Sequence, residues 1–63
     1  MKNHIKEYRT QKGLLQQELA DLCGVSRQTV NAIENNKYDP TLELAFKLAL
    51  ALDTTADHLF IYE

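Results

Sequence analysis

Residues 16–36 read Gln16-Gln17-Glu18-Leu19-Ala20-Asp21-Leu22-Cys23-Gly24-Val25-Ser26-Arg27-Gln28-Thr29-Val30-Asn31-Ala32-Ile33-Glu34-Asn35-Asn36. Leu15, Leu19 and Leu22 recur at i, i+4 and i+7. That is the spacing of one buried helical face, and it predicts a helix from about Gln16 to Cys23. Gly24 ends this helix, because a residue without Cβ lets the chain turn sharply. Val25 is apolar and drops between two helices, and Ser26 restarts helix at once as an N-cap. The next helix runs from Arg27 to about Asn35, with Val30 and Ile33 as its inward pair. Asn35-Asn36 closes it, since Asn tolerates the left-handed conformation better than other residues with a Cβ.

The outward face of that helix is unusual in its chemistry. Counted at about 100° per residue from Arg27, Val30 lies near 300° and Ile33 near 240°. Asn31, Asn35, Gln28 and Ala32 fall between about 40° and 140°, away from the core, with Arg27 at the edge. No acid interrupts this face, whereas an ordinary solvated face is rich in Lys and Glu. Arg suits the guanine O6/N7 edge, Gln or Asn suits adenine N6/N7, and Ala permits close approach to a thymine methyl. On an isolated helix, plain surface polarity would account for Arg27, Gln28, Asn31 and Asn35. The short preceding helix and the tight Gly-Val-Ser turn tip the reading toward a helix-turn-helix at about 16–35, whose second helix protrudes to enter a major groove.

Working outward, Asn3 is placed to cap a first helix with Ile5 and Tyr8 as its apolar stripe, stopped at Lys12-Gly13. Lys37-Tyr38-Asp39-Pro40 is a loop. Thr41 caps a fourth helix over the run TLELAFKLALALD, and Thr54 or Thr55 caps a short fifth through about Phe60. Ile61-Tyr62-Glu63 favours an extended conformation. The expected fold class is all-α: five short helices around one core, with an extended C-terminal tail. The 63 residues allow one domain, 1–63, of thin core and marginal stability.

Several function classes are excluded or disfavoured. The single cysteine, Cys23, rules out an internal disulfide framework and points to a reducing, cytoplasmic setting; it reads as a small buried hydrophobe. His4, Cys23 and His58 lack ligand spacing, so no metal and no cofactor is expected. No apolar run is long enough to span a membrane, the N-terminus lacks a signal-peptide core, and no small-molecule ligand is evident. No nucleophile–base spacing is visible, so an enzyme is not expected. The net charge of −2 argues against a polyanion partner, but the charges are segregated. Residues 1–37 carry six basic against four acidic side chains, and residues 38–63 carry one against five. Contact with DNA should therefore use residues before about position 38.

Glu34 lies at the C-terminal end of its helix, where the macrodipole disfavours an acid. It needs a cation. Arg9, on the inner margin of the first helix, is the expected partner in a partly buried ion pair.

The run Gln16-Gln17-Glu18-Leu19-Ala20, then Gly24 to Val30, Ile33-Glu34, Pro40, Ala45, Leu48-Ala49, Leu52 and Leu59-Phe60 resembles the lambda-repressor-like regulators, the XRE or Cro/CI family, in its small stand-alone members. The likeness spans Ile5 to Phe60. It implies a sequence-specific transcriptional regulator, usually a repressor, that binds a palindromic operator on double-stranded DNA as a homodimer. It implies base contacts from Arg27, Gln28, Asn31 and Ala32, and phosphate contacts from Gln16, Gln17, Ser26, Thr29, Asn35, Lys37 and Tyr38. The family's equivalents of Arg9 and Glu34 commonly pair. Two positions depart from the pattern: Leu15 stands where a Thr or Ser cap is frequent, and Asn36 where Gly is frequent.

Self-association has its own signal. Apolar residues cover most of the fourth helix, leaving Glu43 and Lys47 as its polar strip, and Leu59 to Tyr62 add an apolar end. A surface helix normally buries a narrower arc. Leu50, Leu59, Phe60, Ile61 and Tyr62 are the expected dimer interface. Residues 57–63 form the dimerisation segment, with the two tails as a short antiparallel ribbon. The competing reading is an antitoxin or adaptor that uses the same helices and this apolar tail to hold a protein.

Overall fold

The computed structural model describes residues 1–62; the expected role of Glu63 in the tail lies outside the described residues. The elements in chain order are β1 (Lys2–Asn3), α1 (Ile5–Gln11), α2 (Gln16–Cys23), α3 (Arg27–Glu34), α4 (Leu42–Ala51), α5 (Ala56–Leu59) and β2 (Phe60–Ile61). Five helices form the body, and the two strands pair antiparallel with Lys2 opposite Ile61 and Asn3 opposite Phe60. His4 continues the tie by donating its backbone N–H to the Leu59 carbonyl at 2.8 Å. The tail is extended as its sequence predicts. Within the chain, its ladder partner is the first strand.

α3 and α4 start where a side chain takes up a free amide. Ser26 Oγ accepts from the Thr29 N–H, and Thr41 Oγ1 accepts from the Leu44 N–H, both at 3.2 Å. Leu15 has no acceptor to offer α2. Glu18 compensates in part by accepting the Leu15 N–H at 2.8 Å, the half of a capping box that Leu permits. At α1 the cap position belongs to His4, one residue later than the sequence predicts. Asn3 still takes the first free amide, accepting the Ile5 N–H at 3.1 Å.

Ile5, Leu19, Val30, Ile33, Leu48, Leu52 and Leu59 are fully buried and form the centre of the core. Half-buried Tyr8, Leu14, Val25 and Phe60 pack around it. The buried face of α2 departs from expectation. Leu19, Ala20 and Cys23 turn inward, while Leu15 and Leu22 are exposed. The helix packs against both α3 and α4, and wedging between two neighbours rotates its inner stripe toward Ala20 and Cys23. Cys23 is buried, and burial pushes its thiol pKa up against the weaker opposing pull of the Lys47 charge. No helix among the described residues is long and apolar enough to cross a membrane.

Candidate nucleic-acid interface

The connection between α2 and α3 is three residues long, Gly24-Val25-Ser26. Gly24 has φ 70°. This left-handed conformation lets its N–H reach the Asp21 carbonyl at 3.3 Å while Val25 N–H bonds the Ala20 carbonyl at 3.0 Å. Two of the four orphan carbonyls at the end of α2 are thereby satisfied. The chain leaves the turn already aimed into α3, which anchors itself on Val30 and Ile33 and leaves the opposite side to solvent. Arg27, Gln28, Asn31 and Asn35 are exposed, and Ala32 is half-buried between them.

The one acid of α3 is withdrawn from this face. Arg9 Nε donates to Glu34 Oε2 at 2.7 Å and Arg9 Nη2 donates to Oε1 at 3.2 Å, a bidentate pair. Arg9 Nη1 also donates to the Leu14 carbonyl at 2.8 Å, tying the end of α1 to the same cluster. The two side chains are 11% and 4% exposed. The exposed face of α3 therefore carries no negative charge of its own.

The expected contact residues separate by what their donors are doing. Arg27, Gln28, Lys37 and Tyr38 make no side-chain hydrogen bond or ion pair within the described residues and are exposed. Ser26 and Thr29 share a hydroxyl–hydroxyl bond of 3.0 Å. Three other residues expected at phosphates have their amides engaged internally. Gln17 Nε2 donates to Asp21 Oδ1 at 2.8 Å. Asn35 Nδ2 donates to the Asn31 carbonyl at 2.9 Å. Gln16 Nε2 donates to Glu34 Oε1 at 3.0 Å and to Asn31 Oδ1 at 3.1 Å. The Gln16 backbone N–H, at the first position of α2, has no intrahelical acceptor.

One positioning residue escaped the sequence reading in this role. Asn3 Nδ2 donates to the Ile33 carbonyl at 2.7 Å and to Asn36 Oδ1 at 3.2 Å, so β1 holds the end of α3. A short polar residue near the N-terminus signals a cap, and nothing in its local sequence announces a partner thirty residues away.

The expected dimer residues are scattered in burial. Leu59 is 0% exposed, so it is a core residue and offers no surface to a second copy. Four-residue α5 has one apolar anchor to spare, and Leu59 is it. Phe60 and Ile61 are half-buried, while Leu50 and Tyr62 are exposed. Leu42, Phe46 and Leu50, one row on α4 at i, i+4 and i+8, are 71%, 53% and 81% exposed. Two adjoining hollows flank this row, and Ala56 and Asp57 line both.

Comparison with known proteins agrees with this architecture. A family model described as "Helix-turn-helix" (HTH_3) matches residues 5–59. An uncharacterized HTH-type transcriptional regulator of Methanocaldococcus jannaschii is 52% identical over 63 residues, covering 100% of this chain and 96% of that protein. Among solved structures, the restriction-modification controller protein C.AhdI from Aeromonas hydrophila superposes with a TM-score of 0.84 at 40% identity. The match covers 90% of this chain and 86% of that one. SinR, the master regulator for biofilm formation, solved in complex with DNA, gives 0.78 at 33% identity, covering 84% and 86%. A three-residue turn between α2 and α3, a protruding second helix cleared of its acid and these relatives converge: the chain belongs to the HTH_3, or XRE-type, helix-turn-helix family of DNA-binding transcriptional regulators, which are not enzymes.

Proposed function

We propose that this chain is an operator-binding repressor that acts in the cytoplasm as a homodimer, with α3 seated in the major groove of a palindromic site. The observation that carries the reading is the outer face of α3. Arg27 and Gln28 stand exposed there with free donors, and Glu34 is turned into the chain and neutralised by Arg9. Arg27 and Gln28 read base edges. Asn31 and Ala32 lie deeper along the same face. The Ser26 and Thr29 hydroxyls, Lys37, Tyr38 and the first amides of α2 and α3 approach phosphates. SinR, similar in fold, has been solved in complex with DNA, which supports DNA as the partner. For the dimer, the support is the exposed α4 row with half-buried Phe60 and Ile61 and exposed Tyr62 beside it. A two-fold pair would set the two reading helices roughly 34 Å apart, in successive grooves.

Selection of bound duplexes from a random library at fixed salt tests binding, symmetry and half-site spacing together. The expected result is an inverted repeat with centres about 10 base pairs apart. Affinity for it should fall with a log–log salt slope near −0.9 per neutralised phosphate, roughly. Arg27→Ala or Gln28→Ala should each relax one base position at about 1–3 kcal/mol. Lys37→Ala should weaken all sequences alike and flatten the salt slope. Unchanged operator preference with Arg27, Gln28 and Asn31 all replaced by Ala would refute α3 as the reader.

A further inference from the structure

A chain of hydrogen bonds leads from the buried ion pair to the exposed face of α3, and its direction is fixed. A carboxylate accepts hydrogen bonds and donates none. Glu34 Oε1 takes a bond from Gln16 at 3.0 Å, so the Gln16 amide must turn its NH2 toward it. The second hydrogen of that NH2 goes to Asn31 at 3.1 Å, so Asn31 must turn its Oδ1 inward to receive it. Asn35 Nδ2 donates to the same oxygen at 3.2 Å. Both lone pairs of Asn31 Oδ1 are then occupied, and what Asn31 has left for a ligand is its NH2.

We propose that the Arg9–Glu34–Gln16–Asn31 relay makes Asn31 a donor-only reader, so that the operator presents acceptors to it, guanine O6/N7 before any other edge. The proposal rests on the operator-binding function put forward above. An Asn free to rotate pairs with adenine by donating to N7 and accepting from N6. The relay removes the accepting half of that pair. Adenine then sets its N6–H2 donor against the Asn31 NH2, and cytosine does the same with N4. Guanine offers two adjacent acceptors. Gln16 becomes a positioning residue for specificity, because its own donors are spent inside the chain. Its amide carries the polarity of the acid outward to Asn31.

The test compares operators selected at one salt concentration by the wild type, Asn31→Ala, Asn31→Asp and Gln16→Leu. Gln16→Leu leaves both Arg9–Glu34 bonds in place, and a wild-type circular dichroism spectrum checks that its fold is kept. One position should lose its preference in Asn31→Ala, and in the wild type that position should be guanine. Asn31→Asp, which turns an acceptor outward, should move it to cytosine. Gln16→Leu should let adenine rise there by roughly tenfold relative to guanine, with other positions unchanged. A wild-type adenine at the Asn31-dependent position overturns the proposal. So does a Gln16→Leu protein with undiminished guanine preference, or an Asn31→Ala protein altered nowhere. In the free protein, side-chain amide spectra should show the Gln16 NH2 bonded to the carboxylate, and Gln16→Leu should shift the Asn31 NH2. If the spectra show the relay and no duplex is enriched, operator binding itself fails and the base assignment falls with it. If an operator is enriched with adenine at this position, the relay assignment fails alone.

Discussion

Glu34 occupies a helix C-terminus, where the backbone dipole works against a negative charge, and it is 4% exposed there. Two bonds from Arg9 and one from Gln16 are what make that position tenable. Arg9→Ala would leave a desolvated carboxylate with a single neutral donor. The expected loss is roughly 3–5 kcal/mol, the range for stranding one member of a buried pair. Urea unfolding measures it, and an unchanged midpoint and slope would show that the pair contributes nothing net. Cys23 gives a second expectation at this scale. Its thiol is buried and its pKa is raised by that burial, so the thiolate that alkylating reagents attack is scarce at neutral pH. Alkylation of the native protein should be far slower than in denaturant. Equal rates would mean that α2 opens readily.

Four helices end in one manner. Gly13, Gly24, Asn36 and Asp53 adopt φ of 71°, 70°, 62° and 56° just past α1 to α4. In each case the next residue's N–H returns to a carbonyl in the last turn: Leu14 to Arg9, Val25 to Ala20, Lys37 to Ala32 and Thr54 to Ala49. Asp53 is the informative one, because its side chain is exposed and a substitution there reports backbone preference. Asp53→Val should destabilise by about 1–2 kcal/mol, since a β-branched residue is strained at positive φ. Asp53→Gly should stay within about 0.5 kcal/mol, relief of strain offsetting the greater freedom of the unfolded chain. Thermal melts of the pair decide it, and equal effects would mean that the α4–α5 junction relaxes out of the left-handed turn. These stops are also why the helices were legible in the sequence. Gly13, Gly24, Asn36, Ser26 and Thr41 act on neighbours within a few residues, and such short-range chemistry is written locally. The outward arc of α3 was legible for the same reason, because 100° per residue needs no knowledge of the rest of the chain. What escaped depends on distant partners. Lys2–Asn3 becomes a strand because Phe60–Ile61 lies beside it. Leu22 is exposed because α3 and α4 together rotate the inner face of α2. The orientation of the Asn31 amide is set by residues on α1 and α2 as well as α3.

On the scale of the whole molecule, Leu50 and Leu59 make opposite predictions from similar sequence contexts. Leu59 is fully enclosed. Its truncation to Ala should cost roughly 2–5 kcal/mol through lost burial and a residual cavity. A chain of this size has a total stability of about 3–9 kcal/mol at the usual per-residue scale. Leu59→Ala should therefore remove a large share of that stability, visible as a markedly lowered melting temperature by helical circular dichroism. Leu50, with Leu42 and Phe46 in its row, is exposed in the single chain. A charge there meets water, so Leu50→Glu and Phe46→Glu should leave the monomer's helicity and unfolding midpoint nearly unchanged at low concentration.

Their effect should appear in assembly. If this row is the two-fold surface, a Glu at either position buries an unpaired charge against its own symmetry mate. Sedimentation should then shift from dimer to monomer at micromolar protein, and operator affinity should fall because each half-site is bound alone. The melting temperature of the wild type should rise with protein concentration, as it must when association is linked to folding, and that rise should vanish in both variants. Dimerisation through apolar side chains should also be almost indifferent to salt, while DNA binding weakens with it. Charged variants that remain dimeric would move the interface off this row of α4, to another apolar surface such as the exposed Tyr62 end with half-buried Phe60 and Ile61.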